Sequence, residues 1–154
     1  MSLEKIYAIY DKYSKYNYIE DDLSTHRIKN GFEFDKDKCG ICWDFIRAMQ
    51  LALYKNSSTI HHCYFTEVQK DSKTIATHTY IIVRDGSFRY WVECAWQKHK
   101  GVHLVFSYRD VERVLKEEYN ADEAHTVVYD PMKVEGMIAD EFFEYLNKHG
   151  VILS

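Results

Sequence analysis

The sequence predicts an α+β domain in which a central helix, carrying a cysteine at its N-terminus, packs on a mainly antiparallel sheet between flanking helices. Three observations predict it. Segments of helical apolar spacing bracket a run of strand-like segments, an order that keeps helices and strands in separate blocks. Residues 41–55 carry the strongest stripe, with Cys42, Phe45, Ile46, Met49 and Leu53 at i, i+3, i+4, i+7 and i+11, widened by Trp43, Ala48, Leu51 and Tyr54. Arg84-Asp85-Gly86-Ser87 is a hairpin signal, because Asp-Gly suits the two central positions of a type I′ turn. A chain of 154 residues is the size of one domain, so 1–154 reads as a single unit.

Residues 3–16 read as a helix, with Leu3, Ile6, Tyr7, Tyr10, Tyr13 and Ser14 on one face. Residues 17–39 are polar and irregular, and Asn30-Gly31 marks a turn within them. In the 41–55 helix Asp44, Arg47 and Lys55 supply most of the polarity, the pattern of a helix buried on most sides. Three strands follow, at 60–69, 75–83 and 87–94, rich in aromatic and β-branched residues. Ser107, with Asp110 three residues on, starts a helix that runs to about Tyr119. Residues 125–129 form a further short strand. The last helix covers about 134–148, presents Val134, Ile138, Phe142, Tyr145 and Leu146, and stops before Gly150.

Hydrophobic residues make up 46% of the chain and charged residues 29%, a balance that supports one ordinary core. The net charge of −4, with signs interspersed even across 35–38, argues against nucleic acid, which demands a basic patch. No stretch approaches the roughly 18 apolar residues of a membrane span. The N-terminus turns charged at Glu4 and Lys5 without an apolar signal core, so a cytoplasmic chain is expected. Four cysteines without an export signal read as free thiols rather than a disulfide framework. There is no Asp-x-Asp-x-Asp-Gly calcium loop, and no metal or other cofactor is expected.

The hairpin turn carries a functional consequence. With Asp85 and Gly86 as the loop, Val83 faces Phe88, Ile81 faces Tyr90, Tyr80 faces Trp91, and His78 lies directly opposite Glu93. Opposed residues hold their Cβ atoms about 4.5–5.5 Å apart, close enough for an imidazole–carboxylate hydrogen bond. Such a carboxylate fixes the imidazole tautomer and stabilises the imidazolium. Cys42 supplies a nucleophile. The run Lys38-Cys39-Gly40-Ile41-Cys42-Trp43 leads into the first turn of the central helix, where the macrodipole and unpaired N–H groups favour a thiolate. The same N–H groups can meet a developing oxyanion. A helix end packed near the hairpin completes a Cys-His-acid constellation.

Gly40-Ile41-Cys42-Trp43-Asp44 resembles the Gly-x-Cys-x-Asp or Gly-x-Cys-Trp segment of the transglutaminase-like superfamily, a branch of the papain-like cysteine protease fold. The resemblance spans about residues 38–96. It implies Cys42 as nucleophile, His78 as base and Glu93 as the acid that orients it. It further implies acyl transfer from a peptide, protein or small amide substrate, to water (peptidase or amidase) or to an amine (transglutaminase or N-acyltransferase). Two positions depart from the family pattern: Glu93 stands where the family usually has Asp, and Thr79 follows His78 where an aromatic residue is common. These departures motivate an alternative, a catalytically inactive transglutaminase-like domain used as a binding module.

Cys63 and Cys94 fall within strands and read as packing residues. Cys39 and Cys42 also form a Cys-x-x-Cys, but the polar run before them does not look like the strand a redox site requires. A zinc site would need ligands such as His61, His62 or Cys63, and adjacent strand residues alternate across the sheet. Trp43, Tyr80, Trp91 and Trp96 are candidate walls of an aromatic substrate groove, with core packing as the other reading. Residues 96–101 read as a loop that rims the groove.

Overall fold

The computed structural model describes residues 3–55 and 60–153. It is the expected α+β arrangement, with five helices and a six-stranded antiparallel sheet. Helix α1 (Leu3–Tyr13) is followed by a two-residue strand β1 (Asn17–Tyr18), helix α2 (Gly31–Asp37) and a second short strand β2 (Cys39–Gly40). The central helix α3 (Cys42–Tyr54) leads into the long strands β3 (Ile60–Lys70) and β4 (Lys73–Asp85), then β5 (Phe88–Glu93) and β6 (Gly101–Val105). Helix α4 (Tyr108–Tyr119), strand β7 (Glu123–Tyr129), helix α5 (Ala139–His149) and strand β8 (Val151–Ile152) complete the chain. The sheet order is β6-β5-β4-β3-β7-β8, while β1 and β2 pair in parallel apart from it.

Several elements differ from the sequence expectation, each for a local reason. Helix α1 buries Ile6, Ile9 and Tyr13, whereas Leu3 and Tyr7 are exposed, so its core stripe is rotated from the tyrosine-rich face. Asn30 does not make a turn. Its side chain accepts from Glu33 N at 2.9 Å, and Glu33 accepts from Asn30 N at 3.3 Å, a capping box that starts α2. Strand β6 is not among the strands expected from the sequence: Gly101 to Val105 pair along the edge of β5, starting at the end of the 96–101 segment read as a loop, which holds a 3-10 turn at Gln97–His99. Residues 131–134 form a 3-10 turn ahead of α5, which starts only at Ala139.

The β4–β5 hairpin has a corrected register. Asp85 pairs with Phe88, Arg84 with Arg89, Val83 with Tyr90 and Ile82 with Trp91, so the loop is Gly86-Ser87 rather than Asp85-Gly86. Gly86 has φ +59° and Ser87 is not in the left-handed region, which places glycine at the first loop position as a type II′ turn requires. The β3–β4 hairpin takes the other solution: Asp71 and Ser72 both have positive φ between Lys70 and Lys73.

Alternation along the strands divides the core in two. Cys63, Phe65, Ile81, Val83, Val92, Cys94 and Tyr129 face α1, α2, α3 and α5 on one side of the sheet. Tyr64, Val68, Tyr80, Ile82 and Trp91 face Val111 and Leu115 of α4 on the other. Aromatic contacts weld the first side together, including Phe34–Phe45 at 4.7 Å and Trp43–Phe142 at 5.0 Å between ring centroids. Burying one such ring stabilises the fold by about 1.5–3 kcal/mol, so α3 is held firmly over the sheet. No helix among the described residues is long and apolar enough to cross a membrane.

Candidate active site

Cys42 owes its position to the segment before it. Lys38 ends α2 in the left-handed conformation, φ +54°, and releases the chain into β2. There Asn17 N donates to Lys38 O at 2.9 Å and Ile19 N to Gly40 O at 3.0 Å, so β1 straps the approach to the helix. Ile41 is extended and is the N-cap of α3, with Cys42 the first helical residue. An isoleucine side chain cannot cap. Asp44 serves instead: its carboxylate, fully buried, accepts from Ile41 N at 2.9 Å and from Lys29 N at 2.7 Å. A Cβ on Gly40 would stand 2.5 Å from Asp44 Oδ2, so glycine there is what lets the carboxylate reach back. The Gly-x-Cys-x-Asp pattern is thus one structural unit, and it presents a partly exposed thiol in a first helical turn whose N–H groups lack helical acceptors.

His78 and Glu93 lie on the α4 side of the sheet, in the same alternation as Tyr80 and Trp91. The corrected register puts Glu93 diagonal to His78 instead of directly opposite, a separation of about 7–8 Å between such positions that a long side chain can still span. Glu93 spans it. His78 Nε2 and Glu93 Oε1 are 2.5 Å apart, and both residues are buried. Glu93 is otherwise saturated, with Oε1 accepting from Trp91 Nε1 at 3.2 Å and Oε2 from Ala95 N and Trp96 N at 3.0 Å each. Burial opposes the charge of both partners, but their mutual attraction outweighs it. His78 is raised to about 10, by Glu93 and by hydrogen bonding to Cys42. Glu93 is lowered below the usual carboxylate range, with the two backbone donors assisting His78.

The β4–β5 ladder ends at Ile82–Trp91, and beyond it the two strands separate. Cys42, the first residue of α3, is a neighbour of His78. The thiol helps to raise the His78 pKa, by hydrogen bonding and by charge. With Nε2 committed to Glu93, Nδ1 is the ring atom left for the thiol. A thiol, an imidazole and a saturated carboxylate, from Cys42, His78 and Glu93, are thus neighbours. Of the other three cysteines, Cys39 is partly exposed, two residues before the Ile41 cap of α3, while Cys63 and Cys94 are buried and desolvation pushes both thiols well up.

Of the four candidate groove residues, three are corrected. Trp43, Tyr80 and Trp91 are 3%, 0% and 3% exposed and belong to the core, because α5 covers the first and α4 the other two. Trp96 alone is at the surface, edge-on to His78 at 5.3 Å between centroids. Two tyrosines not singled out from the sequence stand beside it. Tyr119, at the end of α4, stacks on Trp96 at 6.2 Å and feels the Cys42 charge. Tyr18 of β1 is coupled to Cys42, Tyr119 and Glu93, and burial together with the Cys42 charge raises it to about 12. Trp96 and Tyr119 thus stack beside His78, and both tyrosines lie within reach of the Cys42 charge. A cavity of about 590 Å³ between the sheet and α5, lined by Phe65, Thr77, His125 and Phe143 among others, includes none of Cys42, His78 and Glu93 in its lining. Among the described residues no cluster of His, Cys, Asp and Glu side chains converges as a metal site.

Comparison of the sequence with protein-family models and with curated proteins finds no match.

Proposed function

We propose that this chain is a cysteine-dependent acyl-transfer enzyme of the transglutaminase-like kind, acting on the amide bond of a peptide, protein or small amide. The observation that carries this reading is the pairing of a saturated Glu93 with His78 at 2.5 Å, beside a partly exposed thiol at a helix N-terminus. At neutral pH His78 is an imidazolium, a cation that favours an adjacent thiolate. The Cys42 sulfur attacks the carbonyl carbon, and the carbonyl electrons move onto oxygen, where first-turn N–H groups of α3 can receive them. The tetrahedral species collapses as the C–N bond breaks, and His78 gives its proton to the departing amine. Water or a second amine then attacks the thioester, His78 takes the proton, and the acyl group leaves Cys42. Glu93 keeps the ring oriented throughout and stabilises it whenever it carries the proton. Free thiols at all four cysteines suit a reducing, cytoplasmic setting.

The test is the alkylation rate of each cysteine by iodoacetamide, resolved by mass spectrometry at pH 7. Cys42 is expected to react at least tenfold faster than Cys39, an advantage lost in His78→Ala. Cys42→Ala then abolishes any amide hydrolysis or amine transfer, and Cys94→Ala leaves it in place. A Cys42 no faster than Cys39 in the folded wild type would instead make the domain a binding module.

A further inference from the structure

A second imidazole lies behind the same helix end. His26 sits in the loop between β1 and α2, and its side chain is 4% exposed. Its Nδ1 is 2.7 Å from Asp21 Oδ2 and its Nε2 is 2.8 Å from Asp44 Oδ2. A carboxylate only accepts, and a neutral imidazole carries a single N–H, so satisfying both contacts requires both ring nitrogens to be protonated. The geometry therefore describes a buried imidazolium between two carboxylates. The hydrogen bond to Asp44 accordingly raises the His26 pKa, against burial and with the help of Asp21.

What His26 holds is the group that holds Cys42. Asp44 Oδ2 receives both His26 Nε2 and Ile41 N, and Asp44 Oδ1 receives Lys29 N. Ile41 is the residue immediately before the thiol. The other groups facing His26 are few. Asp21 lies on its exposed side, the Lys29 charge acts on Asp21 from the same loop, and the Trp43 ring stands edge-on at 6.5 Å. With His26 neutral, Asp44 loses its only ring partner or Asp21 does, and the buried carboxylate is left without an adjacent full countercharge.

We propose that Asp21, His26 and Asp44 form a charged positioning relay, in which protonated His26 clamps the Asp44 carboxylate on the N-cap peptide of α3 and so aligns Cys42 with His78. This rests on the thiol-enzyme reading. His26 is a positioning residue and touches no substrate. Protonation adds a further consequence. His26 is raised in the folded state, so its clamp is complete below the usual histidine range near 6.5 and is lost as pH rises through the folded value.

Two measurements test the relay. Long-range ¹H–¹⁵N NMR of the wild type at pH 7 should find both His26 ring nitrogens protonated, and in Asp21→Asn the second proton should leave at lower pH. A single neutral tautomer for His26 at pH 7 overturns the proposal, even if other variants fail to fold. Alkylation supplies the second readout. His26→Ala should slow Cys42 about tenfold with Cys39 unchanged, and His26→Gln, which keeps an N–H toward Asp44, should restore the larger part. Wild-type Cys42 that is fast, and equally fast in a folded His26→Ala, overturns the relay while the enzyme reading stands. Wild-type Cys42 that is slow overturns the enzyme reading first.

Discussion

His26 and His78 are each bound to a carboxylate through Nε2, and they differ in what else the ring meets. At His26, Nδ1 meets a second carboxylate at 2.7 Å. At His78 the second polar neighbour is the Cys42 thiol, not a carboxylate. The same side chain is thus a closed clamp in one place and an open one in the other. An imidazole with both nitrogens committed to carboxylates has no vacant function, because moving its proton would expose a charge. An imidazole with one committed nitrogen has a direction along which a proton can travel. Reactivity in this chain follows from what is left unsatisfied, and stability from what is not.

The sharpest way to break this contrast is at Glu93. Glu93→Gln keeps the shape but leaves a buried His78 without its countercharge, and acyl transfer should fall by about 10²–10⁴. Removing one partner of a buried pair should also cost about 3–5 kcal/mol, measurable by urea unfolding. Gly40→Ala comes next. It drives a methyl group to within 2.5 Å of Asp44 Oδ2, so the N-cap contact must yield; the fold should lose about 1–3 kcal/mol and Cys42 alkylation should slow with it.

The smallest effect is a pH dependence, and its sign follows from the shifts. His78 is raised to about 10, so its stabilisation is fully present below the unfolded value near 6.5 and is lost as pH climbs to the folded one. Glu93 is lowered, so its share is present above the ordinary glutamate range and is lost only as acid passes below it. The urea midpoint should therefore fall between pH 6 and pH 10.5 in the wild type, by more than it does in Glu93→Gln. Equal falls in the two proteins would mean that the pair contributes nothing to the alkaline limb.

The central helix and the His78–Glu93 contact were legible because they depend on short-range rules. Helical spacing over 41–55 and a glycine turn at 86 suffice to place Cys42, His78 and Glu93. The register was misread by two residues, since Asp85 stays in the ladder and Gly86-Ser87 make the turn. A slip of two keeps every side chain on its face, so His78 and Glu93 still met; a slip of one would have parted them. The aromatic walls were not legible, because strand alternation tells which face Tyr80 and Trp91 occupy but not that α4 covers that face. Helix α2 is only seven residues long and buries just Gly31 and Phe34, too little for a periodic signal. The His26–Asp44 contact joins residues 18 apart through an irregular loop, and no spacing rule reaches across such a path.

The diagonal placement of Glu93 ties a side-chain length to a strand register. An aspartate at 93 would be a methylene short of His78, and it would need the hairpin to slide by two residues to recover the contact. That slide would move the turn back onto Asp85-Gly86. In a population of drifting sequences these changes have to arrive together, since either one alone opens the pair. Acid length and turn position at this hairpin are therefore one property: the longer acid goes with a turn at Gly86-Ser87, the shorter with a turn at Asp85-Gly86.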